Sequence, residues 1–144
     1  TGNEVLRLFA ISRLMLGKTF RNLQVSWVKE GIRMAGWILC AGANDLGGTL
    51  INESISTSAG ASHGQFQSPA TLRRTIRDAG RIPAQRNTRY ALLRRFDEET
   101  EEDEALDRVS DPEATFGTYA SMTRDEQFRF VKLRRARGEH ERSS

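Results

Sequence analysis

Residues 42–50 of the chain, Gly42-Ala-Asn-Asp-Leu-Gly-Gly-Thr-Leu50, decide how the rest of the sequence is interpreted. The stretch is too short and too rich in glycine for a helix, because glycine weakens helices. Residues Ala43–Thr49 are compatible with a brief strand that runs into a loop. Gly47 and Gly48 have no side chains, so a ligand can approach the backbone closely there. We therefore predict a strand end with an exposed loop, which is where parallel α/β proteins bind ligands.

Helical and strand-like segments alternate on both sides of this stretch. Some segments repeat apolar residues at helical spacing, and others alternate apolar with polar residues. The predicted order is helix 3–16, strand 23–27, helix 28–41, strand 43–49, short helix or turn 51–61, helix 69–79, strand 81–86 and closing helix or turn 87–96. Such alternation is typical of α/β proteins with parallel strands.

The size of these units predicts only part of a barrel. Each strand–helix unit takes about 30 residues, so residues 1–96 contain about three such units. A closed eight-unit barrel needs about 250 residues, whereas the chain has 144. The sequence also starts at Thr1 rather than at a methionine. We therefore expect residues 1–96 to be the C-terminal portion of a TIM-type barrel in a longer protein.

Charged residues divide the remainder of the chain. The whole chain has 22 lysines and arginines and 19 acidic residues, for a net charge of +3. Residues 97–113 are strongly acidic, with Arg108 as their one basic residue, whereas residues 114–144 are mainly basic. We expect a solvated, poorly ordered acidic linker over 97–113. The basic tail over 114–144 is expected to be disordered or to form a short strand around Phe128 and Phe130.

Composition also excludes several classes of protein. A single cysteine, Cys40, can form neither an internal disulfide nor a cysteine-only metal site. No apolar run reaches the roughly 18 residues that span a bilayer, and no signal peptide is visible, so we expect a cytoplasmic protein. The sequence has no glycine-rich phosphate motif and no nucleic-acid-reading motif. Neither nucleic acid nor a membrane is therefore an expected partner.

Eight polar side chains lie at the ends of the three predicted strands or in the loops after them, where functional groups collect in parallel α/β folds. They are Gln24, Ser26, Asn44, Asp45, Thr49, Glu53, Gln85 and Arg86. Amides can pair with the edge of a heterocycle, a carboxylate can hold an ammonium group, and a guanidinium can hold a carboxylate. The set suits a small polar organic substrate. Turn capping by Asn44 and Asp45, and a surface position for Glu53, are the alternatives.

Five motifs carry a resemblance to a known family. Together they closely resemble the C-terminal part of FO synthase subunit 2, a radical S-adenosylmethionine family of deazaflavin (coenzyme F-420) biosynthesis. The motifs are Asn22-Leu-Gln-Val-Ser-Trp-Val-Lys29, Gly42-Ala-Asn-Asp-Leu-Gly-Gly-Thr-Leu50, Asn52-Glu-Ser-Ile-Ser56, Ala59-Gly-Ala-Ser-His-Gly64 and Gly80-Arg-Ile-Pro-Ala-Gln-Arg86. The related futalosine enzymes of menaquinone synthesis share the segment 42–45 and are less similar through residues 47–49 and 61–64.

The resemblance implies a barrel fold, with a 4Fe-4S cluster and S-adenosyl-L-methionine as cofactors. It implies L-tyrosine and 5-amino-6-(D-ribitylamino)uracil as substrates, transfer of the 4-hydroxybenzyl group of tyrosine to the uracil, and FO synthase subunit 1 as a protein partner. The family binds its cluster with a CxxxCxxC motif, which this sequence lacks. We therefore expect a fragment that is inactive alone. One alternative is a futalosine-pathway relative from the same superfamily. The alternative from another class is a non-catalytic remnant or subunit that pairs with a cluster-bearing chain.

The candidate side chains would have defined roles in such an enzyme. Gln24, Asn44 and Gln85 are the amides available to pair with the uracil. Asp45 or Glu53 would hold the ammonium group of tyrosine or of S-adenosylmethionine.

Overall fold

The structure is a computed structural model that describes residues 1–51, 53–97 and 104–128. Its helices are α1 (Gly2–Leu16), α2 (Trp27–Glu30), α3 (Ile32–Cys40), α4 (Ser54–Ser58), α5 (Pro69–Asp78), α6 (Pro112–Phe116) and α7 (Tyr119–Arg124). Two strands, β1 (Ala84–Arg86) and β2 (Leu92–Arg95), form an antiparallel sheet, and 3-10 helices cover Ala105–Arg108 and Glu126–Phe128. The fold is a mixed α/β arrangement, mostly helical, with a small two-stranded sheet.

The core lies around α3, which packs against α1, α2 and α5. Apolar side chains at helical spacing give α3 a buried face. The buried core residues are Val25, Trp27, Val28, Ala35, Ile38, Leu39, Ala43, Leu46 and Leu72. The predicted helices 3–16 and 69–79 correspond to α1 and α5, and Ser68 caps α5 as the sequence indicated, by accepting a hydrogen bond from the Thr71 backbone N–H at 3.2 Å.

The prediction of one helix over 28–41 was wrong in one respect. The helix is divided into α2 and α3 at Gly31, which has φ 80° and ψ 151°. Residues with side chains rarely adopt such a positive φ, so glycine allows the chain to turn there. The turn lets Trp27 and Val28 enter the core on one side of Gly31 and Ala35 on the other.

The predicted strands 23–27 and 43–49 are reduced to a single parallel bridge between Gln24 and Asp45. The Val25 N–H donates to the Asp45 carbonyl at 2.9 Å, and the Asn44 N–H donates to the Leu23 carbonyl at 3.0 Å. The predicted parallel direction is therefore correct, but the pairing is too short to form strands. The alternation still places Val25 in the core, with Gln24 exposed.

The closing helix or turn predicted over 87–96 is confirmed only as a turn between Asn87 and Ala91, and the rest of the prediction was wrong. Residues 92–95 form β2, which pairs with β1 in the antiparallel direction. Asn87 explains the tight reversal, because its side-chain oxygen accepts hydrogen bonds from the backbone N–H groups of Arg89 at 2.9 Å and Ala91 at 3.1 Å. The strand predicted over 81–86 is confirmed only after Pro83, as β1. A barrel portion therefore remains a prediction.

The described residues 104–128 differ from the expected solvated linker and tail, whereas residues 98–103 and 129–144 lie outside the described residues and the expectation for them stays a prediction. Glu104 and Asp107 form ion pairs with the buried Arg73, and the Asp107 side chain is only 10% exposed. Residues 112–124 contain α6 and α7, where disorder or a strand was expected. Short-range capping explains both helices, since Asp111 and Thr118 each accept a hydrogen bond from a backbone N–H of the first turn. Phe130 lies outside the described residues.

Candidate functional site

The centre of the candidate site is an ion pair between Asp45 and Arg86. Arg86 donates from Nε at 2.8 Å and from Nη2 at 2.7 Å, both to Oδ2 of Asp45. The other carboxylate oxygen, Oδ1, accepts the Gly47 backbone N–H at 2.9 Å. The side chain of Asp45 is 8% exposed and that of Arg86 is 27% exposed. The carboxylate is therefore enclosed, while the Arg86 side chain is partly exposed and also donates from Nη1 to the Asn87 carbonyl at 3.1 Å.

A glycine permits close packing beside this pair. Gly47 has φ 81°, and a Cβ atom there would lie 2.9 Å from Nε2 of Gln24. Any side chain would thus strain the backbone and displace the amide of Gln24. The indole N–H of Trp27 donates to the Gly48 carbonyl at 2.9 Å, which ties the loop to the buried α2. The loop after the Gln24–Asp45 bridge is held in place from the core side.

Tyr90 completes the cluster and was missed by the sequence analysis. The Arg86 guanidinium carbon lies 4.2 Å from the centre of the Tyr90 ring, a cation–π contact. Tyr90 has φ 62°, a conformation that is uncommon for a residue with a side chain. The signal that could have revealed it is the turn chemistry of Asn87, which predicts a hairpin that returns Tyr90 toward Arg86.

Asn44 lies next to Asp45 in sequence, but its side chain bonds to a different part of the molecule. Its Oδ1 accepts from the Leu23 N–H at 2.8 Å and from Nη2 of Arg13 at 2.9 Å. Its Nδ2 donates to the Arg21 carbonyl at 3.0 Å. The amide therefore fastens the 21–23 segment to α1 and is not presented beside Arg86.

The other predicted site residues have mainly local contacts. Glu53 caps α4, since its carboxylate accepts the Ser56 N–H at 2.8 Å. Ser26 stands before α2 without a side-chain cap bond, and Gln85 is exposed on β1. The carbonyl of Thr49 accepts the Gln67 N–H at 3.3 Å. The structure thus brings Gln24, Asp45 and Arg86 together and leaves the rest of the set around them or elsewhere.

Comparison with known proteins assigns these residues to a family. The model of the CofH/MqnC C-terminal region matches residues 1–99. The chain belongs to this family. Residues 1–99, hereafter the family region, include all eight candidate site residues and Tyr90, whereas the segment from Glu104 onward lies outside it.

Curated relatives match over nearly the same length. Proteins from Methanothermobacter thermautotrophicus and Archaeoglobus fulgidus are both named 5-amino-6-(D-ribitylamino)uracil–L-tyrosine 4-hydroxyphenyl transferase. The first is 53% identical over 90 residues, covering 62% of this chain and 24% of the relative. The second is 50% identical over 93 residues, covering 65% of this chain and 27% of the relative. The chain thus spans about a quarter of their length. No protein of known structure matches it significantly.

The residues of this chain do not fit a 4Fe-4S cluster. The sequence contains one cysteine, Cys40, which is exposed at the end of α3. Within residues 1–51, 53–97 and 104–128, no three histidine, cysteine or acidic side chains are grouped as metal ligands. A cluster needs several such ligands, so the structure gives no basis for deriving a step through it.

Membrane insertion can be assessed for the same residues. In the part of the chain that the structure describes, no helix is both long and apolar enough to cross a membrane.

Proposed function

We propose that this chain forms the substrate-binding end of a radical S-adenosylmethionine transferase that joins the 4-hydroxybenzyl group of L-tyrosine to 5-amino-6-(D-ribitylamino)uracil. In this proposal the family region is the C-terminal portion of a barrel. Its function is to hold and orient substrates, while the cluster is bound by residues that this chain does not contain. FO synthase subunit 1 is a proposed protein partner.

The similarity to named relatives supports the substrate class. The curated relatives from Methanothermobacter thermautotrophicus, Methanosarcina mazei and Archaeoglobus fulgidus share 50–53% identity with this chain and carry names that specify the uracil and tyrosine. Identity of this level extends over most of the family region, where all the candidate side chains lie. The five motifs quoted above are part of the same region.

The Asp45–Arg86 pair is the single observation that carries the proposed role. An amino acid presents a carboxylate, and Arg86 is a guanidinium that Asp45 holds at 2.7 Å. Arg86 can bind a substrate carboxylate with the N–H groups that neither Asp45 nor the Asn87 carbonyl uses. Asp45 would hold Arg86 in place for this contact, because its own enclosed carboxylate already accepts from Arg86 and from the Gly47 N–H.

The exposed amide of Gln24 supplies the second recognition element. Its carboxamide lies against Gly47, beside the ion pair. A primary amide offers both a donor and an acceptor, which complements the edge of a uracil ring. Asn44 is not needed for this role, because its amide already bonds to Leu23, Arg13 and Arg21.

The proposal separates the role of the cofactors from the role of this chain. When bound in the complete enzyme, the cluster and S-adenosyl-L-methionine would supply the radical chemistry. The contribution of this chain would be to fix the reacting substrates and to exclude water around them, which protects reactive intermediates. The enclosed Asp45 carboxylate and the Trp27–Gly48 hydrogen bond give that part of the site a fixed shape.

A hybrid enzyme tests the proposal. The matched 90-residue region of the Methanothermobacter relative, with any residues that follow it, is replaced by the full 144-residue chain, so that Arg73 keeps its partners Glu104 and Asp107. The purified hybrid is then incubated without oxygen with a reductant, S-adenosylmethionine, L-tyrosine and the ribitylaminouracil. We expect a product that contains both the 4-hydroxybenzyl group and the uracil, detected by mass spectrometry. A folded, cluster-loaded hybrid that forms no such product would contradict the proposal.

A futalosine-pathway activity is the second candidate, because the matching family model covers both the CofH and MqnC groups. Supplying the hybrid with a futalosine-type substrate instead of tyrosine and the uracil distinguishes them. The names of the curated relatives favour the tyrosine reaction.

A further inference from the structure

The segment after the family region is attached to α5 by a buried arginine. Arg73 donates from Nη1 to Oε1 of Glu104 at 2.6 Å and from Nη2 to Oδ2 of Asp107 at 3.0 Å. The Arg73 side chain is 7% exposed, so this contact is largely removed from water. The other oxygen of Asp107 accepts the Ala70 N–H at 2.6 Å, which satisfies a free donor in the first turn of α5.

The same segment makes a second contact nine residues later. Phe116, at the end of α6, packs against Phe66 with ring centres 5.6 Å apart and ring planes inclined by 43°. Phe66 lies in the loop formed by residues 61–67, which leads directly into α5. Residues 104–116 therefore span from the first turns of α5 to the loop that precedes it.

The 61–67 loop also contacts the region of the candidate site. The Gln67 N–H donates to the carbonyl of Thr49 at 3.3 Å, immediately after the Gly47-Gly48 pair. The ring of His63 lies against Gly31, where a Cβ atom would be 3.1 Å from Nδ1. These contacts connect the loop to the segment that carries Asp45 and to the break between α2 and α3.

The loop also contains an unsatisfied polar group. Oε1 of Gln65 is buried without a hydrogen-bond partner among the described residues. Burying an unpaired acceptor is unfavourable and favours other conformations of the loop. Contacts from outside the loop are therefore needed to keep it in the observed position.

We propose that residues 104–116 act as a clamp that holds the 61–67 loop against the family region, with Arg73 fixing one end of the clamp and the Phe66–Phe116 contact fixing the other. The clamp residues lie outside the family region, whereas Arg73 and Phe66, which they contact, lie inside it. When the clamp opens, the loop is released from Thr49 and from Gly31. The inference stands on these contacts and does not depend on the proposed activity.

Amide hydrogen exchange of the full 144-residue chain tests the clamp, with mass-spectrometric readout of individual segments. Phe116→Ala removes the aromatic contact, and Phe116→Leu retains part of it. A ring pair of this kind is worth about 0.5–1.5 kcal/mol, which corresponds to exchange about two to twelve times faster. We expect this acceleration in residues 61–67 for Phe116→Ala and a smaller one for Phe116→Leu, with β1 and β2 unchanged.

Two further variants test the Arg73 end of the clamp. Arg73→Met should accelerate exchange in both 104–108 and 61–67, whereas Arg74→Met, at the exposed neighbouring position, should change neither. Unchanged exchange of residues 61–67 in Phe116→Ala would overturn the proposal. A uniform acceleration across all segments in both Phe116 variants would also overturn it, because the loop would then respond only to unfolding of the whole domain.

Discussion

Two arginines, Arg73 and Arg86, each bind carboxylates, but their surroundings differ. The Arg73 side chain is 7% exposed and binds two carboxylates, from Glu104 and Asp107. The Arg86 side chain is 27% exposed, binds the single carboxylate of Asp45, and has the Tyr90 ring against the guanidinium. One arginine is enclosed by its partners, and the other has a partly exposed side chain beside a glycine loop.

The difference indicates different functions. A charge that is enclosed with its partners mainly fixes one packing arrangement, because exposing it unpaired is costly. A charge that is oriented by one carboxylate and still partly open can bind a further group. We therefore assign Arg73 to structure, through the clamp, and Arg86 to substrate binding.

Replacing Arg73 should produce the largest loss of stability. Arg73→Met leaves Asp107 and Glu104 without their cation, and breaking a buried pair in this way costs about 3–5 kcal/mol. Because Glu104 is 37% exposed and can regain water, we expect the free energy of unfolding to fall by about 3 kcal/mol, as measured by urea unfolding. Arg74→Met, the matched control, should stay within about 0.5 kcal/mol. A loss equal to that of the control would show that Arg73 does not hold the clamp.

Replacing Asp45 should produce the largest loss of activity in the hybrid enzyme. Asp45→Asn removes the charge that orients Arg86, and misplacement of a substrate-binding group can cost on the order of 100-fold in turnover. Glu53→Gln is the matched control, since Glu53 caps α4 locally and should reduce turnover by less than about threefold. Equal losses in the two variants would contradict the distinction between them.

Acid should weaken the Arg73 contact through Asp107. Burial alone would raise the pKa of Asp107, but hydrogen bonds from Ala70, Glu104 and Arg73, with the charge of Arg73, lower it overall. Its stabilising contribution is therefore present above the unfolded pKa of about 3.9 and is lost as the pH falls through the lower folded value. Asp107→Asn should make urea stability less dependent on pH below about 4. An unchanged acid dependence would show that Asp107 is not responsible.

Tyr90 should show the smallest effect on stability. Tyr90→Gly relieves the positive φ, worth about 1–2 kcal/mol, but loses the contact with Arg86, worth about 0.5–1 kcal/mol. Glycine is also more flexible when unfolded, at a cost of about 0.5–1 kcal/mol. The terms nearly cancel, so the free energy of unfolding should change by less than about 1 kcal/mol in Tyr90→Gly. Tyr90→Phe should leave it unchanged. A loss above about 2 kcal/mol would show a structural role that these terms omit.

The sequence predicted the helices of the core better than the strands. Apolar spacing located α1 and α5, and capping residues located the start of α5, because these signals are local in sequence. The break at Gly31 was missed because glycine also occurs within helices, and only packing of Trp27 and Ala35 requires a turn there. β2 was missed because Leu92 and Leu93 are both exposed and give no alternation.

The candidate site could be predicted only in part, because its arrangement depends on contacts between residues that are distant in sequence. The prediction of parallel strands over 23–27 and 43–49 placed Gln24 and Asp45 among the side chains that collect at strand ends. The same reasoning could not show that Asn44 would bond to Arg13 and Arg21, which lie on a different element. The clamp was missed for a similar reason, since an acidic run is usually solvated and its pairing with Arg73 depends on tertiary structure.

The most direct test of the account compares Arg86→Lys with Arg73→Lys in the hybrid enzyme. Lysine keeps the charge and loses the planar guanidinium. At a temperature where both variants are folded, we predict that Arg86→Lys raises the KM for L-tyrosine or lowers turnover by on the order of 100-fold, while Arg73→Lys retains near-normal values. Loss of activity with Arg73→Lys and retention with Arg86→Lys would reverse the assignment and contradict the account.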